Sequence, residues 1–265
     1  MDKSISTISL DVGYKDSNPV VKNINITVNK GEIVALIGCN GAGKTTILKT
    51  IVRQIEKLNG NIRIYDRDEA ELSNEEIARQ ISIVMTERIH PEYMSCYEVV
   101  ATGRYPYTGR LGVLGEDDKR IIKDAIELVG AKDVADKDYT KVSDGQRQRV
   151  MLARAIAQDT DVMILDEPTS FLDIQYKLDI LSIIQRLARD SKKAVIMSMH
   201  ELEFVAAVAD KIVAVADDKI FKIGTPKEIL TGNNLSTLYD MDCNKAKILA
   251  DSLERYSEAL KECLK

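Results

Sequence analysis

The sequence predicts an α/β chain: a parallel sheet covered by helices, with an antiparallel β segment ahead of it and a purely helical stretch inserted within it. Three observations predict this. Short apolar runs at 32–37, 162–165, 194–198 and 212–215 alternate with helical patterns, and that alternation places parallel strands between helices. The first thirty residues alternate apolar positions around turn residues. From Glu87 to Asp159 the strand signal disappears.

Taken in order, Ile5, Ile8, Leu10 and Val12, then Val20, Val21, Ile24, Ile26 and Val28, flank the turn residues Gly13, Asp16, Ser17, Asn18 and Pro19, which reads as antiparallel strands. Glu32 to Ile37 is a buried strand bounded by glycines, and a Gly-rich loop and a helix through Ile47, Leu48 and Ile51 follow. Ile62 and Ile64 mark another strand, and Ser73 with Glu76 has the spacing of a capping box. In the insert, helices are expected over Glu98–Thr102, Asp117–Val129 (ended by Gly130) and Gln146–Ala157. Strands return at Val162–Leu165, Ala194–Ser198 and Ile212–Val215, separated by helices near Ile174–Arg189 and Glu201–Ala209. Thr225-Pro226-Lys227-Glu228 opens a further helix, with a cap, Pro at the first helical position and Glu at the third. In the tail, Leu249, Leu253, Tyr256, Leu260 and Leu264 are spaced for one helix face, expected to pack on the chain's own core.

Composition limits the function classes. The chain has 265 residues, 45% hydrophobic and 30% charged, enough to bury about 70–75% of its unfolded surface, which excludes a disordered or fibrous chain. A formal charge of -5 argues against a module that coats nucleic acid, so no nucleic-acid partner is expected. No apolar run reaches the roughly 18–20 residues of a membrane span. The best candidate, Phe204 to Ala216, is shorter and holds Asp210 and Lys211. The start, Met1 to Ser6, lacks the layout of a secretory leader, and Cys39, Cys96, Cys243 and Cys263 show no paired spacing, so a reducing cytosolic compartment is expected.

The chemistry-bearing residues begin at Gly38-Cys39-Asn40-Gly41-Ala42-Gly43-Lys44-Thr45, which fits G-x-x-x-x-G-K-[ST] directly after a buried strand and at the start of a helix. Glycines let backbone N–H groups and the helix terminus face phosphate oxygens, Lys44 can reach the β- and γ-phosphates, and Thr45 can ligate magnesium. Val162 to Leu165 ends in Asp166 and Glu167. Asp166 can hold magnesium while Glu167 orients an attacking water. His200 follows the next strand, where it can meet a γ-phosphate at the mouth of the sheet. Ser143 and Gln146 have the spacing of a reciprocal cap, which preorganises a second helix N-terminus as an anion site.

Together these residues resemble the ATP-binding cassette (ABC) family over residues 4 to 240, and the resemblance implies a P-loop NTPase (RecA-like) core. Gly38 to Thr45 is similar to its Walker A loop, Val142 to Gln146 to its signature, Val162 to Glu167 to its Walker B strand, Ser170 to Asp173 to its D-loop, and His200 to its switch histidine. The resemblance implies residues 1–240 as the ATPase domain, with the helical part near 87–159, and 241–265 as a tail. It implies nucleotide contacts from Tyr14, stacked on adenine, and from Gly38, Asn40, Gly41, Ala42, Gly43, Lys44, Thr45 and Thr46. Ser143, Gly145 and Gln146 would act in trans, from a second copy paired head to tail. Glu167, His200 and Lys44 would be catalytic, with magnesium on Thr45, Asp166 and Glu87. Three positions depart from the pattern: Glu87 stands where Gln is usual, Asp144 where Gly is usual and Val142 where Leu is usual.

Glu98 to Gly109, within the insert, is similar to a segment of cassette ATPases from importers of iron chelates, haem and cobalamin; zinc and manganese importers carry similar segments. The resemblance implies ATP hydrolysis that energises an importer, with a homodimer, two permease subunits and, indirectly, a substrate-binding protein as partners. The chain would lie in the cytoplasm, peripheral on the inner face of the cell membrane. A soluble cassette ATPase of DNA repair or translation is the alternative from another class, but the long coiled-coil insert or tandem cassette usual there is not visible.

Overall fold

The structure, a computed structural model, describes residues 3–15, 17–87, 91–109 and 112–264; Met1, Asp2, Asp16 and Lys265, which the sequence reading includes, lie outside them. The β-rich start comprises β1 (Lys3–Val12), β2 (Val21–Ile24) and β3 (Thr27–Asn29). After β4 (Ile33–Ile37) and α1 (Lys44–Ile51), β5 (Asn59–Ile64) and β6 (Arg67–Asp68) return to it, so that β1 pairs antiparallel with β2, β3 and β5.

The chain then forms α2 (Asn74–Gln80), β7 (Ile81–Val84), α3 (Cys96–Ala101), a 3-10 helix Thr102–Tyr107, α4 (Glu116–Leu128) and α5 (Asp144–Ala157). It finishes with β8 (Val162–Asp166), α6 (Ile174–Arg189), β9 (Ala194–Ser198), α7 (Leu202–Val208), β10 (Lys211–Ala216), β11 (Lys219–Gly224), α8 (Pro226–Ile229), α9 (Gly232–Tyr239) and α10 (Cys243–Cys263). The 11 strands of the described residues join in one sheet.

Within it β7, β8, β9, β4 and β10 lie side by side and parallel, and β11 pairs antiparallel with β10. Every residue of β4, β8 and β9 is buried, as strands covered on both faces require. Their side chains divide by parity. Ile33, Ala35, Ile37, Met163, Leu165, Val195 and Met197 pack with α5, α6 and α7. Val34, Leu36, Val162, Ile164 and Ile196 pack with Ile47, Leu48 and Ile51 of α1 and with the β-rich start.

Three strands escaped the sequence pattern, the two-residue β6 among them. Ile81–Val84 forms the outer parallel strand β7, and Lys219–Gly224 forms β11, whose half-exposed face leaves no continuous apolar run. The apolar run Phe204 to Ala216 divides into α7 and β10 at Asp210, whose carboxylate accepts from the Ile33 N–H at 2.8 Å and pairs with Arg189 at 2.7 Å. The tail is the helix α10, and Leu253, Leu260 and Leu264 turn inward as the spacing predicts, but Tyr256 faces solvent. A strict reading of period 3.6 places Tyr256 at the edge of that face, where a phenol is stable in water. No helix among the described residues is long and apolar enough to cross a membrane.

Candidate functional site

The site forms where three parallel strands end level. Leu36 of β4 and Asp166 of β8 both lie opposite Ser198 of β9, so the loop after β4, the acids ending β8 and the histidine after β9 open on the same carboxyl edge.

The loop from Gly38 to Thr45 closes tightly at both ends and stays open at its crown. Gly38 has φ +149, and a Cβ there would lie 2.3 Å from the Val215 carbonyl oxygen. Gly43, at φ +95, lies so near β2 that a Cβ would meet Val21 at 2.5 Å and Val20 at 2.9 Å. Around Gly41, by contrast, there is nothing within 4 Å. Lys44 opens α1 and donates to the carbonyls of Gly38 and Cys39 at 2.8 and 3.0 Å. Burial pushes its ammonium below the usual lysine range, while Glu167, Asp166 and Cys39 pull it up. Tyr14 lies in a loop that the Val20 N–H closes on the Val12 carbonyl at 2.7 Å, and it is 55% exposed. Thr46 is buried in the first turn of α1.

Asp166 is buried and accepts from three hydroxyls: Ser198 at 2.6 Å, Thr86 at 2.9 Å and Thr45 at 3.1 Å. Of the residues expected around a metal, Thr45 and Asp166 therefore meet. Glu87 does not join them; its exposed carboxylate pairs with Lys49 on α1, and Thr86, one residue earlier, takes the place on Asp166. Thr86 and Ser198 were missed in the sequence. The available signal was a hydroxyl residue at or just beyond the end of each apolar strand, and it acquires meaning only once the strand register is known.

Glu167 has φ +50, left-handed backbone that is unfavourable for a residue with a side chain. Its N–H reaches the Ser198 hydroxyl at 3.1 Å, which fixes the turn. The turn sends the carboxylate to His200, with Oε1 2.7 Å from Nε2, while Oε2 accepts from the Ser170 hydroxyl at 2.9 Å. Behind His200, Glu201 accepts from Thr169 at 3.0 Å and Lys177 at 2.7 Å. Burial raises the Glu201 carboxyl, but those two donors outweigh it and hold the group below the usual carboxylate range.

Ser143 caps α5 as its spacing predicts: its hydroxyl accepts from the Gln146 N–H at 3.3 Å, and Gln146 Oε1 accepts from the Ser143 N–H at 3.0 Å. Asp144, where glycine is usual, pairs with Arg147 at 2.9 Å. A Cβ on Gly145 would meet Leu172 at 3.2 Å. No hydrogen bond of Ser143, Gly145 or Gln146 reaches residues 38–46 among the described residues. The Ser143 turn and the loop of Lys44 remain two separate surfaces of the same chain.

Residues 21–170, more than half the chain, match the family model described as ABC transporter. An ABC transporter ATP-binding protein of Methanocaldococcus jannaschii is 38% identical over 237 residues, 89% of this chain and 81% of that one. The iron(3+)-hydroxamate import ATP-binding protein of Bacillus subtilis is 35% identical over 248 residues, 94% of this chain and 91% of that one. Among solved structures, an inward-facing ABC transporter of metal-chelate type superposes with a TM-score of 0.79 at 28% identity, covering 91% of this chain and 90% of that one. Similarity that spans most of both chains and extends to the fold makes this chain a member of the ABC transporter ATP-binding family, a subunit that binds and hydrolyses ATP.

Proposed function

We propose that this chain energises an importer of iron chelates, haem or cobalamin, pairing head to tail with a second copy and docking on two membrane permease subunits at the cytoplasmic face. The observation that carries the proposal is the separation within one chain of two halves of a phosphate site. The Lys44 loop, Asp166, Glu167 and His200 lie on the sheet edge, whereas the capped Ser143 turn lies at the end of α5. Ser143, Gly145 and Gln146 of a partner copy would complete the site around Lys44.

In that arrangement Tyr14 stacks on adenine, and the N–H groups from Gly38 through Thr46 face the phosphates. Lys44, already short of its full solvation, exchanges loop carbonyls for phosphate oxygens. The hydroxyl of Thr45 and the carboxylate of Asp166, with Thr86 beside them, are the hard oxygen donors that magnesium takes, so the residues present fit that ion. Held there, magnesium would supply positive charge that offsets the charge of the phosphates. Glu167 orients the attacking water and accepts its proton, while His200, 2.7 Å away, holds that carboxylate and faces the γ-phosphate. Glu87 reaches the ion only if its pair with Lys49 opens.

The importer reading is supported by relatives whose names give their roles: siderophore transport, iron(3+)-hydroxamate import, ferric enterobactin transport and cobalamin import. It is also supported by the segment Thr102–Tyr107, which is pinned from behind and presents a ring in front. Arg104 is buried and donates to Asp118 at 2.8 Å and to the Ala157 carbonyl at 2.9 Å, while Tyr105 next to it is 58% exposed. Purified Glu167→Gln protein tests the pairing: ATP with magnesium should move it from monomer to dimer on gel filtration. Elution that stays at the monomer position overturns the head-to-tail site.

A further inference from the structure

A phosphate loop rich in glycine has few side chains with which to hold its own shape, so its neighbours must hold it. At its far end, Val20 and Val21 press on Gly43. At its near end the contact comes from the other end of the chain. Cys39 Sγ donates to the Leu238 carbonyl at 3.1 Å, and Tyr239 follows Leu238 as the last residue of α9. Leu238 is buried and Tyr239 packs, partly buried, against the core on the helical side of the sheet. Burial and the neighbouring Cys39 push the Tyr239 hydroxyl up to about 12 against the pull of the Gly38 amide, so it stays a neutral phenol at physiological pH.

Gly38 and Cys39 are the two residues whose carbonyls hold the Lys44 ammonium. The last turn of α9 thus holds the side chain of Cys39, while Lys44 holds the carbonyls of Gly38 and Cys39. The end of α9 is itself fixed. Asp240 reverses the chain at φ +47, and the Ser236 hydroxyl donates to the Met241 carbonyl at 2.7 Å. Gly232 lies so close to α10 that a Cβ there would be 3.0 Å from Lys247 Cα. Leu253 and Leu260 bury the inner face of α10, which packs on α7 and α9.

We propose that Tyr239 is a positioning residue for the nucleotide: the end of α9 holds the Gly38–Cys39 foot of the phosphate loop in place, so that the C-terminal helices set the affinity for ATP. The inference rests on ATP binding at the Lys44 loop. Misplaced backbone donors lose phosphate contacts that ground state and transition state share, so the loss falls on KM rather than on kcat.

The test uses full-length Tyr239→Ala and Tyr239→Phe proteins, measuring steady-state ATP hydrolysis and direct binding of a fluorescent ATP analogue with magnesium. Tyr239→Ala should raise KM and Kd about tenfold, equivalent to about 1.4 kcal/mol of binding. Its kcat should stay within about twofold, the mark of a lost uniform-binding contact. Tyr239→Phe keeps the ring and should show a smaller rise of the same kind. Wild-type binding with an unchanged Tyr239→Ala KM overturns the inference alone, whereas no binding by the wild type would overturn the ATP site as well. Should Tyr239→Ala fail to fold, alkylation decides the matter in a Cys243→Ser, Cys263→Ser background, because Cys39 is then the exposed thiol and Cys96 is buried. Tyr239→Phe should label Cys39 severalfold faster than its parent, and equal rates would overturn the proposal.

Discussion

Asp166 shows how much of the site a residue reading reaches. Its place at the end of an apolar strand and the downstream position of Thr45 in the loop were legible, and the two meet at 3.1 Å. The hydroxyls of Thr86 and Ser198 were not legible, because each is an unremarkable polar residue until β7, β8 and β9 align their ends. Glu201 is a second such case, next to a histidine the sequence did single out. Its carboxylate ties Thr169, from the turn after β8, to Lys177 on α6, and so steadies the segment that carries His200 and Glu167. Its folded-state pKa lies below the ordinary value of 4.5. The stabilisation is therefore fully present above that value and is lost as pH falls through the lower, folded one. Glu201→Gln should lower the urea midpoint at pH 7 and narrow the gap to wild type as pH drops below 4.5. A gap that stays constant with pH would sink this account.

At the scale of elements, the caps were the most readable feature. Ser73 with Glu76 and Ser143 with Gln146 form the reciprocal boxes their spacing predicts, and Glu228 accepts from the Thr225 N–H and hydroxyl, because capping is decided within four residues. β7, at the edge of the sheet, and β11, between β2 and β10, were unreadable for the opposite reason: such short strands are made by their partners rather than by their own pattern. Between these extremes lies the 3-10 helix Thr102–Tyr107. Gly103 is there because α5 runs against it; a Cβ would lie 2.4 Å from the Arg154 carbonyl oxygen. Gly103→Ala must push this segment off α5, with a cost of about 1–3 kcal/mol, the usual range for overpacking. The expected outcome is a lower melting temperature, near-normal ATP hydrolysis by the purified subunit, and reduced uptake in cells, since Tyr105 moves with the segment. Normal uptake in a destabilised variant would separate this segment from permease docking.

The whole molecule is a sheet with two different faces. One face carries α5, α6 and α7 with the signature turn, and the other carries α1 and the β-rich start with the loop of Tyr14. Nucleotide would bridge these bodies, so its binding should be visible in global stability. For Glu167→Gln protein, ATP with magnesium at a hundredfold its Kd adds about 2.7 kcal/mol of stability. For a chain of this size that is a rise in Tm of roughly 5–10 °C. A Tm that does not move with ATP would refute binding by the folded subunit. By itself the sequence determined the α/β class, the loop of Lys44, the acids ending β8 and the cap at Ser143, because each is written in local spacing. Tertiary structure alone decided that Thr86 rather than Glu87 meets Asp166, that Glu167 turns back to His200, and that Leu238 reaches the phosphate loop. Those contacts join residues from 33 to about 200 positions apart, and only strand register and helix packing bring such distant groups within hydrogen-bond reach.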